Sequence, residues 1–139
     1  MTHTILLIED NEGDIVLIKE ALKESNFKGK IIEINDGNAA INFFKENFYT
    51  EVLSINLVLL DINLPKKNGH EVLKFIKSSP ELMHIPVVIF TTSSANTDIE
   101  KAYKNSANAF VSKPTDTDEF LEVIAKIQNY WFSDISLLK

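Results

Sequence analysis

The sequence predicts an α/β domain built on a doubly wound, five-stranded parallel sheet, a (βα)5 arrangement. Two observations carry this. Residues 5–8, 57–60, 87–90 and 109–111 are short, unbroken apolar runs rich in branched side chains, the pattern of strands buried on both faces. Amphipathic stretches too long to be turns separate the strands. That alternation implies parallel strands with right-handed crossovers and helices on both faces of the sheet.

The first strand, 5–8, leads to a helix over 14–26 with Ile15, Ile18 and Leu22 on one face and Lys19, Lys23 and Glu24 turned to water. Residues 30–35 alternate less cleanly and read as an edge strand. Asp36 can cap the second helix, which buries Ala40, Ile41 and Phe44. After the strand at 57–60, Asn68-Gly69 opens a third helix carrying Val72, Leu73 and Ile76, and Ser78-Ser79-Pro80 closes it. The strand at 87–90 precedes a weakly apolar, charge-rich helix over 96–105. The strand at 109–111 leads to a fifth helix from 115 to about 131, with Phe120, Leu121, Ile124 and Ile127 spaced for burial. Residues 133–139 are expected to extend past it.

At 139 residues, with 45% hydrophobic and 24% charged content, the chain reads as one domain over 1–139 with no effector domain. The absence of cysteine excludes disulfides, thiol catalysis and thiolate zinc sites. No apolar run approaches the roughly 20 residues that span a bilayer, and the N-terminus reaches Glu9 too soon to be a signal peptide. A cytoplasmic location with no membrane contact is the expectation. A net charge of −6 without a basic cluster argues against a nucleic-acid partner.

The chemistry lies just past the strands. The first runs into Glu9 and Asp10, the third into Asp61, the fourth into Thr91, and the fifth ends two residues short of Lys113. In an open parallel sheet the ligand site lies beyond the carboxyl ends of the strands, so these residues should converge on one pocket. Two carboxylates about 4 Å apart repel by roughly 4 kcal/mol at an effective dielectric of about 20, so the acids hold either a proton or a cation. Oxygen donors without histidine or sulfur suit a hard ion, and Mg2+ fits best. A carboxylate beside Mg2+ and a lysine is a nucleophile suited to phosphoryl transfer, with Lys113 and Thr91 on the transferring oxygens.

Five ordered segments resemble the receiver domain of bacterial two-component response regulators. They are Ile8-Glu9-Asp10-Asn11, the run from Leu59 to Pro65, Asn68-Gly69, the run from Pro86 to Thr91, and Phe110-Val111-Ser112-Lys113-Pro114. The likeness covers nearly the whole chain and is closest to stand-alone receivers that serve bacterial phytochrome kinases, through the runs from Glu9 to Asp14 and from Leu64 to Gly69 and the Trp131-Phe132-Ser133 tail. It implies the flavodoxin-like strand order 2-1-3-4-5. It also implies Asp61 as phosphoacceptor, and Glu9, Asp10, Asp61 and the Asn63 backbone carbonyl as the Mg2+ shell. Thr91 and Lys113 would bind phosphoryl oxygens, Thr91 and Phe110 would switch, and the Lys113-Pro114 bond would be cis. Phe110 stands where tyrosine is frequent, Thr92 where a smaller residue is usual, Lys67 for an apolar loop residue and Ser106 for a glycine.

The function implied is a response regulator that takes a phosphoryl group from a sensor histidine kinase, a bacterial phytochrome by family likeness. It would catalyse only its own phosphotransfer and dephosphorylation. Output would pass to a downstream protein partner through the face of the fourth helix, fifth strand and fifth helix. That face would also suit a homodimer, with Asp98, Lys101, Asp118 and Glu122 setting its charge pattern.

Plainer readings stand beside these. An acid at a strand end is often a helix cap or solvated, Thr91 a β-former, Phe110 a core aromatic, and 130–132 terminal packing. His3, His70 and His84 read as surface residues, neither metal ligands nor phosphohistidines. An aspartyl phosphohydrolase would need an acid two residues after the nucleophile, where Asn63 stands. A flavin protein would need a phosphate-cradling loop where Asp10-Asn11-Glu12 repels phosphate. The alternative retained is a receiver-like binding module that works without phosphorylation.

Overall fold

The structure is a computed structural model and describes residues 3–47 and 50–132. The order is β1 His3–Ile8, α1 Glu12–Glu24, β2 Gly29–Ile34, α2 Gly37–Glu46, a 3-10 turn at Glu51–Ser54, β3 Leu57–Leu60, α3 Gly69–Ser78, β4 Val87–Thr91, α4 Asn96–Lys104, β5 Ala109–Ser112 and α5 Thr117–Phe132. All neighbouring strands pair in parallel, in the order β2-β1-β3-β4-β5, as expected. Residues 133–139 lie outside the described residues.

Strand side chains alternate between the faces of a sheet, and here the alternation divides two cores. Ile5, Leu7, Leu57, Leu59, Val88 and Phe90 pack with Ile15, Ile18, Ala21 and Leu22 of α1 and Phe120, Ile124 and Ile127 of α5. Leu6, Ile8, Val58, Leu60, Val87 and Ile89 pack with Ala40, Ile41 and Phe44 of α2, Val72, Leu73 and Ile76 of α3, and Ala102 of α4. The three central strands are therefore buried on both faces. β5 pairs with β4 alone, as the order requires, but Ala109, Phe110 and Val111 are half-buried rather than covered on both faces as their unbroken apolar run suggested.

Local signals set the helix ends. Asn11, Asp36 and Asn68 each accept a backbone N–H three residues on, at the starts of α1, α2 and α3, and Glu71 returns a bond to complete a capping box at α3. At the end of α1 the N–H groups of Asn26 and Phe27 donate to the carbonyls of Lys23 and Leu22. At the end of α4 those of Ser106 and Ala107 donate to Tyr103 and Ala102. Both are Schellman motifs with a left-handed residue, Asn26 at φ 62° and Ser106 at φ 70°. The first helix therefore stops at Glu24 rather than at residue 26. The Lys77 ammonium staples the connection after α3 by donating to the carbonyls of Met83 and Ile85 and to Asn108 Oδ1, at 2.7–3.0 Å.

The left-handed region costs a residue with a Cβ about 1 kcal/mol or more, while glycine adopts it freely. Ser106→Gly should therefore raise unfolding stability by roughly 0.5–1 kcal/mol, read as a higher urea midpoint. Asn26→Gly should gain less, because asparagine already tolerates this conformation.

Candidate functional site

The site lies where β1 and β3 run side by side and the chain leaves them in opposite directions, the switch point of the sheet. Ile8 and Leu60 are register partners, so Glu9 and Asp61 fall one step beyond the last rung. Glu9 N donates to the Ile34 carbonyl at 3.0 Å and Asp61 N to the Ile8 carbonyl at 3.1 Å. On the far side Thr91 pairs with Ser112, and Lys113 N donates to the Thr91 carbonyl at 2.7 Å. Glu9 continues the series Ile5, Leu7; Asp61 continues Leu57, Leu59; Lys113 continues Ala109, Val111. All three series face α1 and α5.

Their convergence is tight. The Lys113 ammonium donates to Glu9 Oε1 at 2.6 Å, Asp14 Oδ2 at 2.8 Å and Asp61 Oδ2 at 2.9 Å. Glu9, Asp61 and Lys113 are buried. Glu9 Oε2 accepts the Asn11 N–H at 3.1 Å and Asp61 Oδ1 the Asn63 N–H at 3.0 Å. Asp10 is exposed, and one carboxylate oxygen from each of Glu9, Asp10 and Asp61 can lie within 4.8 Å of the others. Thr91 is buried, and its Oγ1 accepts long bonds from Asn63 Nδ2 at 3.5 Å and Ser93 N at 3.4 Å. Gly69 closes the loop after β3: its N–H donates to the Ile62 carbonyl at 2.8 Å, and a Cβ there would collide with the Asp61 carbonyl.

Three carboxylates thus share one ammonium with Asp10 close to two of them, an excess of negative charge in a partly desolvated place. Burial pushes the Glu9 carboxyl up to about 7, with the Asp61 charge acting the same way, against the lowering pull of Lys113. Burial disfavours the Lys113 charge, yet its bonds to Asp14, Glu9 and Asp61 outweigh that and hold the ammonium above the ordinary lysine range. A cation beside Glu9, Asp10 and Asp61 would offset the repulsion and favour the ionised carboxylates. The donor set fits a hard divalent ion, since every nearby ligand atom is oxygen.

The structure gathers Glu9, Asp10, Asp61 and Lys113, while Thr91 lies beside Asn63 and Ser93 and Phe110 packs half-buried against the core between the sheet and α2, α3 and α4. One residue and one side-chain contact were missed. Asp14 looked like a helix start, but one turn into α1 its carboxylate returns over the strand ends to Lys113. The Asn63 side chain reaches Thr91, whereas only its backbone was expected to matter. The exposed Lys67 lies 3.9 Å from Glu71 in an i,i+4 ion pair. No peptide bond among the described residues is cis, so Lys113-Pro114 is trans.

His70 also corrects an expectation. It is 5% exposed rather than on the surface, because Val72 and Leu73 pull the start of α3 against the sheet. Its Nε2 lies 3.0 Å from Asp98 Oδ1 in α4, and Ser93 Oγ donates to Asp98 Oδ2 at 2.6 Å. The chain Thr91–Ser93–Asp98–His70 thus runs from the site into the packing of α4 on α3. Bonds from Ser93 and then His70 hold the Asp98 carboxyl below the usual carboxylate range. His84 is exposed as expected, and the partly buried His3 stacks on Phe132 with ring centroids 4.6 Å apart.

Asp98→Ala should lower stability by about 1–3 kcal/mol, since it strands polar groups of His70 and Ser93. It should cost less in a His70→Leu background, because the two share a partner. The folded-state value of Asp98 is depressed, so its contribution is present at neutral pH and lost as the pH falls below about 4. Urea midpoints at about pH 7 and about pH 3 should therefore differ less in Asp98→Asn than in the wild type.

Residues 5–125 match the response regulator receiver domain. Response regulator Rcp1 of Synechocystis sp. is 37% identical over 134 residues, covering 96% of this chain and 91% of that protein. The solved structure of the phosphorylated cyanobacterial phytochrome response regulator RcpA superposes with a TM-score of 0.91 at 36% identity, covering 100% of both chains. The Mn2+-bound form of Rcp1 does so with a TM-score of 0.89 at 36% identity over 99% of each chain. With this fold, this acidic cluster and these matches, the chain belongs to the receiver-domain family of two-component response regulators.

Proposed function

We propose that this receiver accepts a phosphoryl group on Asp61 from the phosphohistidine of a sensor kinase, in a Mg2+-dependent reaction, and signals by protein contact. The observation that carries the reading is the placement of Asp61 beside the Lys113 ammonium at 2.9 Å, within the cluster it forms with Glu9 and Asp10. An Asp61 carboxylate oxygen forms the new bond to phosphorus as the phosphorus–nitrogen bond of the donor breaks, leaving an acyl phosphate and, because the donor's other ring nitrogen carries a proton, a neutral imidazole. Lys113 and the Thr91 hydroxyl would bind phosphoryl oxygens. Held by Glu9, Asp10, Asp61 and the Asn63 carbonyl, Mg2+ would neutralise charge on the transferring oxygens. Phe110 and Thr91 form the proposed switch. The chain acts on no substrate beyond its own phosphoryl group.

The kinase we assign is a phytochrome, because the similar RcpA is a cyanobacterial phytochrome response regulator. Output runs through α4, β5 and α5 to a downstream protein or a second copy. Support comes from the edge position of β5 and from Tyr130 on α5, which is 65% exposed. A cytoplasmic setting suits this reading; among the described residues no helix is long and apolar enough to cross a membrane.

Intact mass after incubation with acetyl phosphate and Mg2+ tests the chemistry. One phosphoryl group should be gained by the wild type and by neither Asp61→Asn nor a sample in EDTA. A folded, Mg2+-binding wild type that gains nothing would favour the module that works without phosphorylation. Mg2+ should also raise the urea midpoint, because only the folded chain gathers the acids. Asp10→Asn should lose most of that gain, yet in EDTA be more stable than wild type by up to about 1 kcal/mol as repulsion is relieved.

A further inference from the structure

We propose that Asp14 is a positioning residue that holds the Lys113 ammonium while its other two partners change during phosphorylation. The inference rests on the reading above. A lysine ammonium has three N–H donors and no acceptor, and all three are committed here, to Glu9, Asp14 and Asp61 at 2.6–2.9 Å. The Lys113 side chain is 4% exposed, so a lost partner is not readily replaced by water.

The three carboxylates are not equivalent. Glu9 and Asp61 belong with Asp10 to the cluster that can hold a metal ion, and Asp14 does not. A cation would draw on both Glu9 and Asp61. Asp61 also ceases to be a free carboxylate once one of its oxygens is bonded to phosphorus. The N–H released from Asp61 then faces the incoming phosphoryl oxygen. Asp14 is the one partner whose bond to Lys113 the reaction leaves untouched.

Asp14 is built to stay in place. Its backbone N–H is fixed by the Asn11 side chain at 2.9 Å, in the first turn of α1, where the helix dipole favours an acid. On another side of the ammonium lies the Phe90 ring, its centroid 5.9 Å away, a weakly attractive wall that directs no N–H bond. Without Asp14 a flexible four-carbon stem would be steered by two acids that the metal also claims, and it could follow Glu9 instead of meeting the phosphoryl group.

The test compares wild type with Asp14→Ala and with Asp14→Asn, which keeps an oxygen acceptor. Acetyl phosphate supplies the phosphoryl group, calorimetry reads Mg2+ binding, and urea midpoints confirm folding. In Asp14→Ala the labelling rate at saturating donor and Mg2+ should fall about tenfold, as misplaced groups lose rate steeply, while the Mg2+ dissociation constant stays within about twofold. Asp14→Asn should lose less and carries the test if the alanine variant is poorly folded. In EDTA, reductive methylation of Lys113, mapped by peptide mass spectrometry, should rise about threefold or more in Asp14→Ala as the amine is freed.

An unchanged rate or unchanged methylation overturns the inference and leaves Asp14 a bystander. Mg2+ binding weakened about tenfold, with the rate restored by excess Mg2+, overturns it in favour of a fourth metal ligand. A wild type that gains no phosphoryl group overturns the underlying reading instead, and the methylation arm still reports whether Asp14 holds the lysine.

Discussion

The Lys113 ammonium is the contact on which the site depends. It joins β1, α1 and β3 to the end of β5 through three bonds of 2.9 Å or less, and it offsets part of the repulsion among four acids. A buried ion pair that loses one partner typically costs about 3–5 kcal/mol, so the lysine and its acids constrain each other strongly. They do not cancel, however. The excess negative charge that remains would favour a cation beside these acids.

Placement of these groups follows from the geometry that makes the two cores. Odd-numbered residues of β1, β3 and β5 face α1 and α5, and so do Glu9, Asp61 and Lys113 one step beyond the strands. In β4 the even-numbered Val88 and Phe90 face that way. Thr91 continues the opposite series, Val87 and Ile89, and meets Asn63 and Ser93 rather than the lysine. One strand differing in parity separates the proposed phosphoryl-binding hydroxyl from the acid cluster. It leaves that hydroxyl in contact with the loop that leads to α4.

The helix α4 is held lightly. Ala102 is its one buried residue, and polar groups make up much of the remaining attachment: Asp98 to His70 and Ser93, and the Tyr103 hydroxyl accepting the Phe110 N–H at 3.1 Å. Elements with few buried apolar contacts and several polar ties are those that rearrange at low cost. The helix nearest the proposed output face is therefore also the one whose resting position rests on hydrogen bonds connected to Thr91.

The strands, their alternation with helices, the caps Asp36 and Asn68, and the acids and lysine at the strand ends were all legible in the sequence. Each is written in a local pattern: an unbroken branched run, a helical period, a capping residue. The departure at Ser106 was legible too, as a missing glycine, and only the Schellman geometry explains it. The bond from Asp14 to Lys113 spans 99 positions, and no local signal distinguishes that acid from any other in a first helical turn. His70 likewise looks like a surface residue until packing of α3 buries it and α4 supplies Asp98. The half-exposure of β5 follows from its edge place in the order 2-1-3-4-5, which the family likeness implied and its own apolar run did not. Residue pattern by itself determined the elements and the reactive groups they carry. Tertiary order decided which groups touch, because distance through space between residues far apart in the chain is set by how the elements pack.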